Sequence, residues 1–491
     1  MLYAATRNSI NFPIIFMRPL EILLTLLLVT CTMLPLVYRG RGAAWVGIAV
    51  LGALGLHIFL EGWRWQMIPL YGIALGLGIY ALWRLATPNS GGGALTMGGY
   101  TTIIGGLILL GVAAIPPIVL PIPKLPKPTG PYAVGTVNLM LVDESRPELY
   151  SGNQGEPRAI MVQIWYPAEA ISRNTKPAPW IDRSDIIAPR LADMLNKPHF
   201  FFDHVRYARA SALPHAPLAR AEIQYPLLLF SHGWSGFRTQ STFLMEELAS
   251  YGYIVAAPDH TYGALVTVFP DGRVAENNPA ALPYEAGISE AEYQVAARRL
   301  GAQWGADLSF ILDALQDPAP DSPAAGLRHR IDFSRTGAMG HSTGGGAAIQ
   351  FCAIDPRCKA ILGMDPYMIP VDSSVVENGI SQPCAGIFSA VWAQDRPSGN
   401  NKIFERFAAR SKGNFRRYFI EQTAHYDFTD IGSFSSLSAQ LGLTGPLNDE
   451  QVQRIVRAYA LAFFDVTLRG METPILDTAA FPEIISWEIP R

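Results

Sequence analysis

The sequence predicts an α/β fold, a mostly parallel sheet covered by helices, preceded by four membrane-crossing helices. Four long apolar runs crowd the first 120 residues, and a Pro-rich stretch follows them. Beyond it, short apolar runs alternate with helical patterns, the order that builds a parallel sheet. Composition agrees, since 49% hydrophobic and 16% charged residues make 491 residues too apolar for a wholly soluble chain and too long for one ordinary domain.

The apolar runs are 20–37 "LEILLTLLLVTCTMLPLV", 43–60 "AAWVGIAVLGALGLHIFL", 67–83 "MIPLYGIALGLGIYALW" and 100–120 "YTTIIGGLILLGVAAIPPIVL". Each approaches the ~20 residues that cross a bilayer as helix. Trp45, Trp63, Trp65, Trp83, Tyr38 and Tyr100 sit at their ends, as aromatic belts do. Gly72 and Gly76 give the four-residue small spacing that lets helices pack closely. Glu21 and His57 lie near run ends, so both are expected to snorkel to the interface. "YRGRGAAW" after the first run, followed by more apolar sequence, argues against a cleavable signal peptide.

This reading divides the chain into a membrane region, 1–120, a stiff Pro-rich linker "PIPKLPKPTGP", 121–131, and an α/β domain, 132–491. Residues 1–130 carry 8 Lys+Arg against 2 acids, the remainder 30 against 39. A net charge of −3 argues against a nucleic-acid partner. The even number of spans puts the α/β domain on the side of Arg7, Arg18, Arg64, Lys124 and Lys127, against Arg39, Arg41 and Arg84 on the other, a lean towards the cytoplasm. Cys352 and Cys358 flank a turn, "CAIDPRC", and a bridge between them leans the other way, towards an oxidising compartment. Cys31 reads as a small buried hydrophobe.

Expected strands are 134–142, 160–166, 225–231, 253–257, 335–339, 359–364, 384–391 and 415–420. Leu300, Trp304, Leu308, Ile311, Leu312 and Leu315 recur at helical spacing and make 288–316 one long amphipathic helix, its stripe read as core packing. The insertions 167–220 and 262–290 are expected to wall or cover a substrate pocket.

"TGAMGHSTGGGAAIQ", 336–350, has the form of a strand, a tight elbow at Gly-x-Ser-x-Gly and a helix. With 44 glycines in the chain the motif alone decides little. A serine hydroxyl needs a base to take its proton and an acid to hold that base. Both should follow the elbow, at the C-terminal ends of later strands. His57, His199, His204, His215, His232, His260, His329 and His341 all precede Ser342, which leaves His425, directly after "FRRYFI". Asp365 follows "KAILGM" and is the preferred acid; Asp427 and Asp430 are expected to order the His425 loop, and Asp355 lies in the Cys-flanked turn. Oxyanion donors are expected from the amides of Thr343 and of Trp234 in "SHGWSG", with His232 ordering that loop. The chemistry calls for no metal and no organic cofactor.

"YPLLLFSHGWSGFRTQSTFLMEELASYGYIVAAPDH", "GHSTGG", "MDPYMIP" and "AHYDFTD" together closely resemble the platelet-activating-factor acetylhydrolase family, a branch of the α/β-hydrolases, and "GPYAVGTVNLMLVD" and "VQIWYP" look similar too. The resemblance covers about 130–470 and implies calcium-independent hydrolysis of short or oxidised acyl chains from phospholipids. Its triad falls on Ser342, Asp365 and His425, with oxyanion donors at Trp234 and Thr343. Thr343 stands where the animal enzymes carry Phe, the residue after His-Gly is a bulky Trp, and the four-span region has no counterpart there. The resulting expectation is a membrane-anchored serine esterase acting on lipid esters with short acyl chains, its partners being the substrate and the bilayer. A broad, dienelactone-hydrolase-like carboxylesterase on soluble esters, or an inert membrane scaffold, are the alternatives.

Overall fold

The computed structural model describes residues 17–38, 41–87, 96–170, 175–283, 287–394 and 399–486; Arg7 and Arg39 lie outside them. The chain divides into two compact units, Met1–Pro123 with Phe434–Leu437, and Lys124–Ser433 with Ser438–Arg491.

Among the described residues the first unit holds four α-helices: α1 (Pro19–Met33), α2 (Ala44–Leu60), α3 (Ile68–Ala86) and α4 (Met97–Val119). With their flanking turns, three stretches are long and apolar enough to cross a membrane: Pro19–Leu36, Trp65–Ala86 and Met97–Val119; the α2 helix, equally apolar, has 17 residues. Their outer faces are greasy, with Phe59, Ile79, Ile104, Ile108, Leu109 and Val112 all exposed. A soluble helix would place polar side chains there.

The close helix approach does not use Gly72 and Gly76, which face open space. It uses Gly47, where an added Cβ would lie 2.4 Å from Ala81 Cβ, and Gly78, where it would lie 2.3 Å from Leu51. Glycine spacing alone does not say which face of a helix meets a neighbour. Nor does Glu21 snorkel. Its carboxylate is fully buried and takes two bonds from Arg64, Nε at 2.8 Å and Nη2 at 2.9 Å, and a third from Arg18 Nη2 at 2.9 Å. Arg64 Nη1 also reaches Leu120 O at 2.9 Å. His57, also buried, bonds Glu61 through Nδ1 at 2.9 Å and the Tyr71 hydroxyl through Nε2 at 2.7 Å. Buried, these groups are satisfied by partners inside the bundle.

The second unit is built on a ten-stranded sheet among the described residues. From edge to edge it runs β12 (Ile484–Ser486), β11 (Phe415–Ile420), β10 (Cys384–Ser389), β9 (Cys358–Met364), β8 (Ile331–His341), β4 (Tyr225–Ser231), β5 (Ile254–Asp259), β2 (Pro157–Ala168), β1 (Ala133–Pro147) and β3 (Leu213–Pro214). The six strands from β11 to β5 are mutually parallel; β2 and β12 are antiparallel to their neighbours β5 and β11. A separate hairpin pairs β6 (Val266–Val268) with β7 (Val274–Glu276). The helices are α5 (Ser184–Met194), α6 (Thr242–Ser250), α7 (Glu290–Gln316), α8 (Thr343–Ile354), α9 (Ser373–Asn378), α10 (Ala390–Gln394), α11 (Gly399–Arg410) and α12 (Asp449–Arg469). This is the α/β-hydrolase arrangement that the sequence predicts.

Strand alternation separates two cores. Leu227, Leu229, Ile254 and Ala256 face Leu308, Ile311 and Leu312 of α7, whereas Leu228, Phe230 and Val255 face Phe243 and Leu248 of α6 and Val456 and Phe464 of α12. The α7 stripe is therefore core packing. Cys352 and Cys358 form a disulfide with Cα atoms 5.0 Å apart, and Cys31 is half-buried.

Breaking the first unit's buried ion pair gives a test. Glu21→Ala strands the buried Arg64 guanidinium and should cost on the order of 3–5 kcal/mol, read as a lower unfolding temperature in detergent. The double variant Glu21→Leu with Arg64→Met should lose less than either single change.

Candidate active site

The site begins at the end of β8. Ser342 sits at φ 56°, ψ −123°, an unusual backbone for a residue with a side chain, between strand and helix α8. The flanking glycines answer to close approach. A Cβ at Gly340 would lie 2.2 Å from Gly344 O, and one at Gly344 would lie 2.1 Å from Ser231 O. The Ser342 amide donates to Met364 O at 2.9 Å, and its carbonyl accepts from Tyr367 N at 2.8 Å, which ties the elbow to the end of β9.

Asp365 is the next residue after β9, buried and at φ 45°. Its Oδ2 faces His425 Nδ1 at 3.0 Å. Ser389, at the end of β10, holds the same carboxylate through its amide, 2.8 Å to Oδ1, and its hydroxyl, 2.6 Å to Oδ2. Sequence reasoning misses Ser389; its position at the C-terminal end of the next parallel strand is the available signal. The His425 ring stacks on Trp392 with centroids 4.4 Å apart and planes 12° from parallel. Its carbonyl accepts from His341 Nε2 at 2.9 Å, which fixes the His341 proton on that nitrogen. Burial, with His425 nearby, keeps His341 neutral by lowering its pKa well below the ordinary value. Among the described residues no hydrogen bond joins Ser342 Oγ to His425, and contacts of this kind often tighten only once a substrate is bound.

Ser342 opens into a chamber of about 900 Å³ lined by Trp234, Leu282, Tyr293, Thr343, Tyr367 and Trp392 among others. The Trp234 loop packs directly on Ser342: a Cβ on Gly233 would be 3.3 Å from Ser342 Cβ. Neither the Trp234 nor the Thr343 amide has a hydrogen-bond acceptor among the described residues. Residues 277–283 of the second insertion line this chamber, but 167–220 supplies none of its described lining. The first insertion instead returns through β3 to pair with β1, at the sheet edge far from the elbow. Among the described residues no group of three or more His, Cys, Asp or Glu side chains is arranged to hold a metal ion.

The two acids near His425 organise its loop. Asp427 Oδ2 accepts from Ala424 N at 2.6 Å and Gly445 N at 2.7 Å. Asp430 caps α6, accepting from Thr242 N at 2.7 Å and Phe243 N at 3.3 Å, and from Trp180 Nε1 at 3.2 Å. Asp355 is engaged by Arg357 in its own turn. Behind this loop, burial pushes Glu246 and Asp449 up to about 7 and raises Asp430 well above the usual carboxylate range.

A carboxyl whose folded pKa is raised destabilises the fold as pH climbs from its unfolded pKa to its folded one. Glu246→Gln removes that ionisation. The variant should gain unfolding temperature relative to the parent as pH rises from about 4.5 to about 7, with the gain flat above that range, as thermal unfolding across pH would read.

Comparison with known proteins places this geometry. The family described as "Platelet-activating factor acetylhydrolase, isoform II" matches residues 119–472. Platelet-activating factor acetylhydrolase of Cavia porcellus is 27% identical over 357 residues, 69% of this chain and 77% of its own length; that of Gallus gallus is 25% identical over 353 residues, 65% and 79%. Among solved structures, a ferulic acid esterase from Streptomyces cinnamoneus superposes with a TM-score of 0.60 at 26% identity, covering 75% of this chain and all of its own. The elbow, the buried acid on the next strand and the histidine beyond it thus stand in a carboxylic-ester hydrolase, and the chain belongs to the platelet-activating factor acetylhydrolase, isoform II, family.

Proposed function

We propose that the chain is a membrane-anchored serine esterase that hydrolyses lipid esters bearing short acyl chains. Ser342 is its nucleophile, His425 its base and Asp365 the group that orients His425. The observation that carries the reading is the 3.0 Å pairing of Asp365 Oδ2 with His425 Nδ1 beside an elbow that opens Ser342 into the chamber.

With Asp365 accepting from Nδ1–H, the His425 lone pair lies on Nε2, the nitrogen that takes the Ser342 proton during attack on the ester carbonyl. The oxygen that becomes negative is met by the Trp234 and Thr343 amides, which have no other acceptor to give up among the described residues. His425 then returns the proton to the leaving alcohol, and water repeats the sequence to free the acyl group. No step calls on a metal or an organic cofactor. The outward apolar faces of the first unit's helices support anchoring, which would concentrate a lipid ester around the enzyme.

A second reading, soluble esters of aromatic acids, is favoured by the aromatic wall of Trp234, Tyr293, Tyr367 and Trp392, and by the likeness to a ferulic acid esterase. Planar rings offer stacking surface to an aryl acyl group.

Full-length protein in detergent, assayed on p-nitrophenyl esters of two to sixteen carbons and on ethyl ferulate, separates these readings. A short-chain optimum, inhibited competitively by phospholipid vesicles, is expected; preference for the ferulate without vesicle competition would move the substrate to the second reading. Ser342→Ala should lower turnover on the order of 10³-fold or more, and Asp365→Asn on the order of 10³–10⁴-fold by reversing the His425 tautomer. Unchanged turnover in Ser342→Ala removes the nucleophile assignment.

A further inference from the structure

Behind the chamber wall lies a second Ser–His–Asp array, sealed from substrate. Ser231 Oγ is 2.8 Å from His260 Nε2, and His260 Nδ1 is 2.9 Å from Asp307 Oδ2; all three residues are fully buried. Arg158 clamps Asp307 from the far side, Nε at 3.1 Å and Nη2 at 2.6 Å. The His260 ring lies flat on Trp304, centroids 4.2 Å apart and planes 7° from parallel. Trp304 in turn faces Trp234 at 6.5 Å and 22°. Both Trp304 and Asp307 come from α7, three residues apart and so on one face.

This array grips the next residue, His232, through the backbone. The His260 amide is 3.0 Å from His232 Nε2; an amide only donates, so that nitrogen carries the lone pair. His232 Nδ1 is 2.7 Å from Gly233 O, which only accepts, so Nδ1 carries the proton. The Gly236 amide reaches the same carbonyl at 2.9 Å. A trans peptide sets its C=O and N–H on opposite edges of one plane. Pinning Gly233 O with two donors therefore sets the direction of the Trp234 N–H, the amide left without an acceptor beside Ser342 among the described residues.

We propose that His232, neutral and protonated on Nδ1, is a positioning residue that aims the Trp234 amide at the developing oxyanion, and that the His260–Asp307–Arg158 chain holds it in that state. This inference rests on the esterase reading of Ser342. Burial, with His260 close by, lowers the His232 pKa well below the ordinary value, in keeping with a ring that stays neutral. His260 is lowered as well, chiefly by burial.

The test uses full-length protein in detergent with two substitutions. His232→Leu removes both bonds. His232→Asn keeps a side-chain N–H close to the Nδ1 position. With p-nitrophenyl acetate, His232→Leu should lower kcat on the order of 10²-fold with little change in KM, the loss expected for a misaligned oxyanion donor. It should weaken inhibition by a trifluoromethyl ketone by a similar factor, since that inhibitor forms the oxyanion. His232→Asn should recover at least about tenfold of the loss. Circular dichroism and thermal melting identify any variant that has not folded. Nitrogen-15 spectra of histidine-labelled parent protein read the tautomer whether or not the enzyme turns over, and should show Nδ1 protonated and Nε2 bare. A folded His232→Leu with kcat within about threefold of the parent, an Asn variant no better than Leu, or a protonated Nε2 overturns the proposal. If the parent shows no Ser342-dependent turnover, the esterase reading falls by itself, and the spectra still decide the His232 assignment.

Discussion

Everything at the site hangs on the crowding between the first turn of α8 and the end of β4. Gly344 can pass Ser231 O only because it has no Cβ, and Gly340 can pass Gly344 O for the same reason. That crowding lets the chain reverse within one residue and leaves Ser342 in a strained conformation held by Met364 O and Tyr367 N. The same contact brings the ends of β4, β8 and β9 together. The loops leaving those three strand ends carry Trp234, Ser342 and Asp365, so one packing constraint fixes the spacing of an amide donor, a hydroxyl and a carboxylate.

Around this point the protein controls protons by burying histidines against groups with a single hydrogen-bonding sense. His341 must donate from Nε2 because it faces a carbonyl, and His232 must accept at Nε2 because it faces an amide. Burial lowers both below the ordinary pKa and removes the charged form from competition. His425 differs: it is partly exposed, faces a carboxylate, and is free of a fixed partner on its other nitrogen among the described residues. Three histidines within one small region thus take different protonation rules from their neighbours.

How much of this can be read from sequence follows from what each residue depends on. The strand at 225–231 is legible because a near-continuous apolar run leaves few other structures, and α7 because its stripe repeats over a long span. Asp365, His425 and the roles of Asp427 and Asp430 follow from position relative to strand ends, which topology dictates. Ser389 is marked only by its place at the end of β10, and His260 by nothing local, since its partner Asp307 lies 47 residues away. Gly72, Gly76 and Glu21 mislead for a related reason. A small or charged residue in an apolar run says that something must be packed or paired there, but the partner, Ala81 for Gly47 or Arg64 for Glu21, belongs to another part of the bundle.

The same distinction bears on substrate choice. On the proposed mechanism the reaction is set by atoms at strand ends, on residues that lie within the family match. The chamber is set by side chains on loops and a short helix: Leu282 comes from the second insertion, Trp234 from the turn after β4 and Trp392 from α10. Trp234 contributes both an amide and an indole, so on the proposed mechanism one residue meets the oxyanion and also lines the wall beside it. A small residue at 234 would supply the same N–H and leave the space open. The indole, backed by Trp304 and through it by His260, couples the shape of the chamber to the alignment of the proposed oxyanion donor. On the proposed mechanism selectivity and catalysis therefore share one support, and a change that widens the pocket at Trp234 disturbs the donor as well.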